Sequence, residues 1–120
     1  MGAKVQVKII SEFPKEAPFY LYSHWESESI EDILKISLNS ERGRSCWNDA
    51  EYLSRFIFED MIGEEFGSYK GFGISTEEHS DIEKLVIVDC LQKKVRVKDI
   101  FQGFPSEIKE YESFEEFIEA

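Results

Sequence analysis

A chain of 120 residues has room for one domain and enough length to bury a core without disulfides or metal. With 42% hydrophobic and 14% aromatic residues it is too apolar for a disordered acidic tail, so its net charge of −11 belongs to a folded body. A field of that sign repels nucleic-acid phosphates and anionic membranes; it serves solubility, or attracts cationic protein surfaces.

In chain order, Val5, Val7 and Ile9 alternate with Gln6, Lys8 and Ile10 and predict a first strand. Pro14 and Pro18 bracket a loop, and Phe19-Tyr20-Leu21-Tyr22 predicts a second strand ending near His24-Trp25. Ser27, Glu28 and Ser29 supply helix-start chemistry, with Ser29 and Asp32 at capping-box spacing. Ile30, Ile33, Leu34 and Leu38 then share a helical face, and Asn39-Ser40 with Gly43 ends the helix.

A second helix opens at Asn48 as N-cap, with Glu51 placed to return a bond and Trp47 and Tyr52 as a hydrophobic staple. Tyr52, Leu53, Phe56, Ile57, Met61 and Ile62 form its apolar face, Glu51, Arg55 and Glu59 a polar stripe, and Gly63 a terminator. A loop containing Gly67 and Gly71 leads to a strand near Gly71–Thr76, followed by the acidic loop Glu77–Glu83 with His79. Leu85–Val88 reads as a central strand buried on both faces. Asp89–Lys93 suits a hairpin, and Val95 and Val97 alternate with Lys94, Arg96 and Lys98. Gly103 and Pro105 interrupt the chain before Ser113 and Glu116 open a short helix holding Phe114, Phe117 and Ile118. The order ββααβββα predicts a single α+β domain, a mostly antiparallel sheet covered by helices.

Catalytic and metal signals are weak. His24 and His79 are the two histidines, and Ser23 and Asp89 have no nucleophile-elbow context. An enzyme would need a concave pocket gathering His24 or His79 with a carboxylate. Cys46 and Cys90 are too few for a disulfide framework and have no ligand at metal spacing, so no metal or cofactor is called for. Gly71-Phe72-Gly73 lacks the third glycine of a dinucleotide fingerprint. No segment is long and apolar enough to span a membrane, and Met1–Ser11 lacks a signal-peptide core, so the cytosol is expected.

Two groups of residues remain. Arg42, Arg44, Trp47 and Arg55, with Tyr22, His24 and Trp25, offer guanidinium and ring surfaces for an anionic or planar ligand such as a nucleotide. The competing reading is structural: Trp47 as a staple and the arginines paired to carboxylates. The second group is acidic. Residues 59–83 hold Glu59, Asp60, Glu64, Glu65, Glu77, Glu78, Asp81 and Glu83 against one lysine. Residues 101–120 hold six carboxylates against one lysine, and the intervening 84–100 is basic.

At Leu21-Tyr22-Ser23-His24-Trp25, Arg42-Gly43-Arg44, Trp47–Arg55 and Gly71-Phe72-Gly73-Ile74-Ser75 the chain resembles a diffuse group of small bacteriophage and prophage proteins with no settled function. The resemblance spans roughly residues 19–90 and carries no functional residue. It implies a viral or mobile-element protein acting on host machinery, in the host cytosol. The expected function is that of a non-enzymatic inhibitor, anti-CRISPR-like, whose acidic patch binds a host protein with a basic surface. Self-association as a homodimer stays open.

Overall fold

A computed structural model describes residues 4–11, 19–23, 30–63, 73–75, 77–79, 81–101 and 104–120. The strands are β1 (Val5–Ile10), β2 (Phe19–Ser23), β3 (Gly73–Ser75), β4 (Lys84–Asp89), β5 (Lys94–Phe101) and β6 (Phe104–Tyr111). The helices are α1 (Ile30–Asn39), α2 (Glu41–Ser45), α3 (Ala50–Ile62) and α4 (Phe114–Glu119). The fold is α+β, as expected, with a sheet of order β3-β2-β1-β4-β5-β6.

The sheet is mostly antiparallel. Its exception is the pairing of β1 with β4, which is parallel and in register from Val5↔Lys84 to Ile10↔Asp89. Both strands are rich in aliphatic side chains and mostly buried, and a parallel pair suits strands covered on both sides. One face packs Val5, Val7, Ile9, Leu21, Val86, Val88, Val95 and Val97 against Ile30, Leu34, Leu38, Leu53, Ile57, Met61, Phe114 and Phe117 of the helices. The strands deliver a valine or isoleucine at every second position because side chains alternate across a pleated sheet.

Local chemistry explains where the sequence reading shifts. The α3 cap is Asp49, whose carboxylate accepts from the Tyr52 N–H at 3.2 Å, and Asn48 instead accepts from the Lys93 ammonium. With the cap one residue later, Trp47 and Tyr52 no longer occupy staple positions. Trp47 donates to the Leu38 carbonyl at 2.9 Å and packs edge-on against Phe114.

Gly43 does not end α1. It lies inside α2, where an added Cβ would stand 2.2 Å from the Ser37 carbonyl oxygen. Of the strand expected near Gly71–Thr76, Gly73–Ser75 forms β3, and Gly71, Phe72 and Thr76 lie outside the described residues.

The largest departure is β6. Pro105 reads as a breaker, but at a sheet edge a missing N–H costs no ladder bond. The chain therefore continues as a strand, with a register shift between Asp99 and Ile100. The Ser113 cap is as expected: its hydroxyl accepts from the Glu116 N–H at 3.0 Å, while the Glu116 carboxylate returns to the Glu112 N–H.

Candidate functional site

On the sheet face away from the helices, Gln6 takes the outward position between Val5 and Val7 and is fully buried. Its amide Nε2 donates to the Glu77 carbonyl at 2.7 Å, and its Oε1 accepts from the His79 N–H at 2.9 Å. A buried amide satisfied at both ends is a rigid clip. It fastens the segment after β3 across β1. The His79 ring stacks on Tyr22 with centroids 4.2 Å apart, and Ile82, further along the segment, is buried.

This clip displays a row of carboxylates. Glu77, Glu78, Asp81 and Glu83 are all exposed within seven residues. Asp81 is bonded to the Lys4 ammonium at 2.8 Å, and that contact lowers its pKa. Glu78 and Glu83 form no ion pair among the described residues. Burial raises the Tyr20 and Tyr22 phenols above their ordinary value; the nearby charge of Glu78 adds to the first and that of Asp81 to the second.

The remaining acidic residues go elsewhere. Asp60 lies in the helix layer, accepting from the Ser37 hydroxyl at 2.6 Å and facing Arg42 at 3.4 Å. It is thus on the opposite side of the sheet from Asp81. Glu59 is exposed on α3, and Glu64 and Glu65 lie outside the described residues.

The C-terminal carboxylates meet cations: Glu110 with Arg96 at 3.1 Å, Glu112 with Lys94 at 3.2 Å, Glu115 with Arg44 at 3.8 Å. The basic stretch 84–100 between the two acidic blocks is the β4–β5 hairpin, and β5 has β6 as its other cross-strand neighbour. Register puts Arg96 opposite Glu110, and four of the six carboxylates of the second block lie in ion pairs, whereas Glu116 and Glu119 form none among the described residues. The two blocks do not form one face among the described residues.

The arginine and tryptophan residues are also dispersed. His24 and Trp25 lie outside the described residues. Arg42 turns towards α3, with its guanidinium 4.1 Å from the Phe56 ring centre as well as near Asp60. Arg44 turns the other way, donating to Asn39 at 2.7 Å and lying over Trp47 at 4.7 Å. Arg55 lies over Tyr52 on the exposed side of α3. Each arginine therefore has a partner within the fold, and a ligand at this cluster would compete with them.

Among the described residues, no three His, Cys, Asp or Glu side chains gather as a metal site. A recess of about 210 Å³ on the outer face of β4–β6 is lined by Ile87, Asp89, Lys94, Arg96, Glu110 and Glu112, whose charges largely satisfy one another. Asp89 spends one carboxylate oxygen on the Leu91 and Gln92 N–H groups, shaping the β4–β5 turn. Cys90 is buried, which pushes its thiol up to about 12. Such a thiol is a core residue rather than a nucleophile.

Sequence reasoning missed two features here. One is the Gln6 clip, whose signal is a lone amide in an otherwise apolar strand. The other is the β5–β6 hairpin, with Phe101, Phe104 and Ile108 exposed. Its signal is Gln102-Gly103 between two phenylalanines, a glycine-containing pair at hairpin-turn length.

No helix of the described residues is long and apolar enough to cross a membrane. Comparison with protein-family models, with curated proteins and with solved structures gave no match to this chain, so its function is argued from the residues.

Proposed function

We propose that the protein is a non-enzymatic interaction module that binds a basic surface on a nucleic-acid-handling host protein and blocks it. In its sharpest form it is an anti-defence inhibitor of phage or mobile-element origin, anti-CRISPR-like. The observation that carries this reading is the acidic row Glu77, Glu78, Asp81 and Glu83, exposed and clipped to the sheet through Gln6. Carboxylates that stand in for phosphates need to be dense, and held by a body that does not reorganise on binding. This segment is favoured over the C-terminal block because Glu110, Glu112 and Glu115 there are already paired with Arg96, Lys94 and Arg44.

Binding of this kind depends on salt, because long-range attraction between exposed charges is screened. Capture from a bacterial lysate at low and high ionic strength tests it, with the triple variant Glu77→Lys, Glu78→Lys, Glu83→Lys as comparison. The expected result is a salt-sensitive partner that the variant loses while its circular dichroism spectrum is unchanged. Capture that is indifferent to both salt and charge reversal would remove the electrostatic mechanism.

A further inference from the structure

We propose that β6 is the interface of a two-fold homodimer in which two copies pair edge to edge and merge their sheets. This surface lies at the far side of the sheet from the acidic row, and the inference is independent of the function proposed for that row. From Phe104 to Glu110 every residue of β6 is exposed, and β6 is the last strand of the sheet, with no strand beyond its outer side among the described residues. Native sheets usually shorten, charge or cover such an edge. This edge is charged, at Glu107, Lys109 and Glu110, but it is not short: it runs eight residues and carries Ile108 at 51% and Phe104 at 76% exposure.

The side chains of β6 specify its occupant. When two identical antiparallel strands pair about a two-fold axis normal to the sheet, facing residues must share a face, so the axis passes through a residue. An axis at Glu107, Lys109 or Glu110 sets a like charge against itself. An axis at Ile108 sets isoleucine against isoleucine, and places Glu107 opposite the partner's Lys109 and Lys109 opposite the partner's Glu107.

Glu107 and Lys109 already approach to 3.9 Å within one strand, so each needs only to exchange a neighbour. Pro105, which lacks an N–H, stops the ladder near each end and limits slippage. The charge pattern of the edge is therefore complementary to itself in one register. A single strand pair buries little area, so the dimer is weak and concentration-dependent.

Sedimentation of the whole chain across a concentration series tests the interface. The wild type is expected to move from 14.0 kDa towards twice that mass. Glu107→Lys alone, or Lys109→Glu alone, faces like charges twice across the axis and raises the dissociation constant about tenfold or more. The double variant restores the wild-type constant. An equimolar mixture of the two single variants also restores it, because lysine then meets glutamate in a heterodimer. All the substituted positions are exposed, and circular dichroism confirms the fold of each variant. A wild type that stays monomeric into the millimolar range overturns the proposal, as does a dimer indifferent to the single swaps or a mixture that fails to associate.

Discussion

The two ends of the sheet carry the same acidic side chains in opposite circumstances. Beyond β5, Glu110 and Glu112 stand across from Arg96 and Lys94, and Glu115 reaches Arg44 of the helix layer. Over β1 and β2, the exposed row from Glu77 to Glu83 meets Lys4 through Asp81, while Glu78 and Glu83 face solvent. The first arrangement ties elements of the fold together; the second leaves a field to act on something else. Net charge does not separate these cases, because both blocks are strongly negative in sequence. Register separates them.

The comparison breaks most severely if the C-terminal end is detached. Phe117 is fully buried on α4 and packs edge-on against Tyr111 of β6, while Lys35 of α1 lies over its ring. Phe117→Ala is expected to cost about 3–5 kcal/mol, from lost burial and the cavity left behind. Chemical denaturation should show a lower midpoint at unchanged slope, and a loss under about 1 kcal/mol would mean that α4 is not anchored this way. A smaller effect tests the brace between the helices. Gly43→Ala puts a methyl group against the Ser37 carbonyl, so backbone must shift, at about 1–3 kcal/mol. A neutral result in the same assay would place α2 further from α1.

How much of this was legible in the sequence depends on how local each cause is. The faces of α1 and α3 were visible because burial follows helical periodicity: Ile30, Leu34 and Leu38 on one, Leu53 and Ile57 on the other. The Ser113 cap was visible because it needs a partner only three residues away. The parallel pairing of β1 with β4 was hidden, since alternation tells which face a residue takes but not which strand lies beside it. β6 was hidden because Pro105 is a breaker in the middle of a sheet and tolerable at its edge. For the candidate site, the acidic content of residues 77–83 could be read directly. Its mounting could not, because Gln6 lies more than seventy residues away. Nor could the pairing of Glu110 with Arg96 and of Glu112 with Lys94, which depends on β5 and β6 being neighbours.

A charge-removal pair sharpens the comparison at lower energy. Glu110→Gln deletes one partner of Arg96 and is expected to cost about 0.2–1 kcal/mol, the range for an exposed pair. The double change Glu78→Gln, Glu83→Gln removes carboxylates with no ion pair among the described residues, and should leave the melting temperature unchanged or slightly raised. The two ends then differ in sign or nearly so. Equal losses at both would erase the distinction between them.

The smallest effect concerns the bridge between Lys4 and Asp81 at the acidic end. The hydrogen bond from Lys4 holds the Asp81 carboxyl below its ordinary value of 3.8, partly opposed by desolvation, and the charge of Lys4 acts in the same direction as the bond. A carboxyl whose folded pKa is depressed contributes stability above its unfolded value and loses it as pH falls through the folded value. The contribution of Asp81 is therefore intact at neutral pH and disappears only in strong acid. Lys4 is raised by the same bond, so its share is complete below 10.5 and fades as pH rises past the folded value. Carbon-13 NMR of the Asp81 carboxyl should give a midpoint below 3.8 in the wild type, moving upward in Lys4→Met. Because both groups are exposed, the shift in midpoint is the quantity to follow, rather than global stability. An Asp81 midpoint that ignores the loss of Lys4 would mean the two are not bonded in solution, and the acidic row would then carry one more uncompensated charge than the bonded arrangement leaves it.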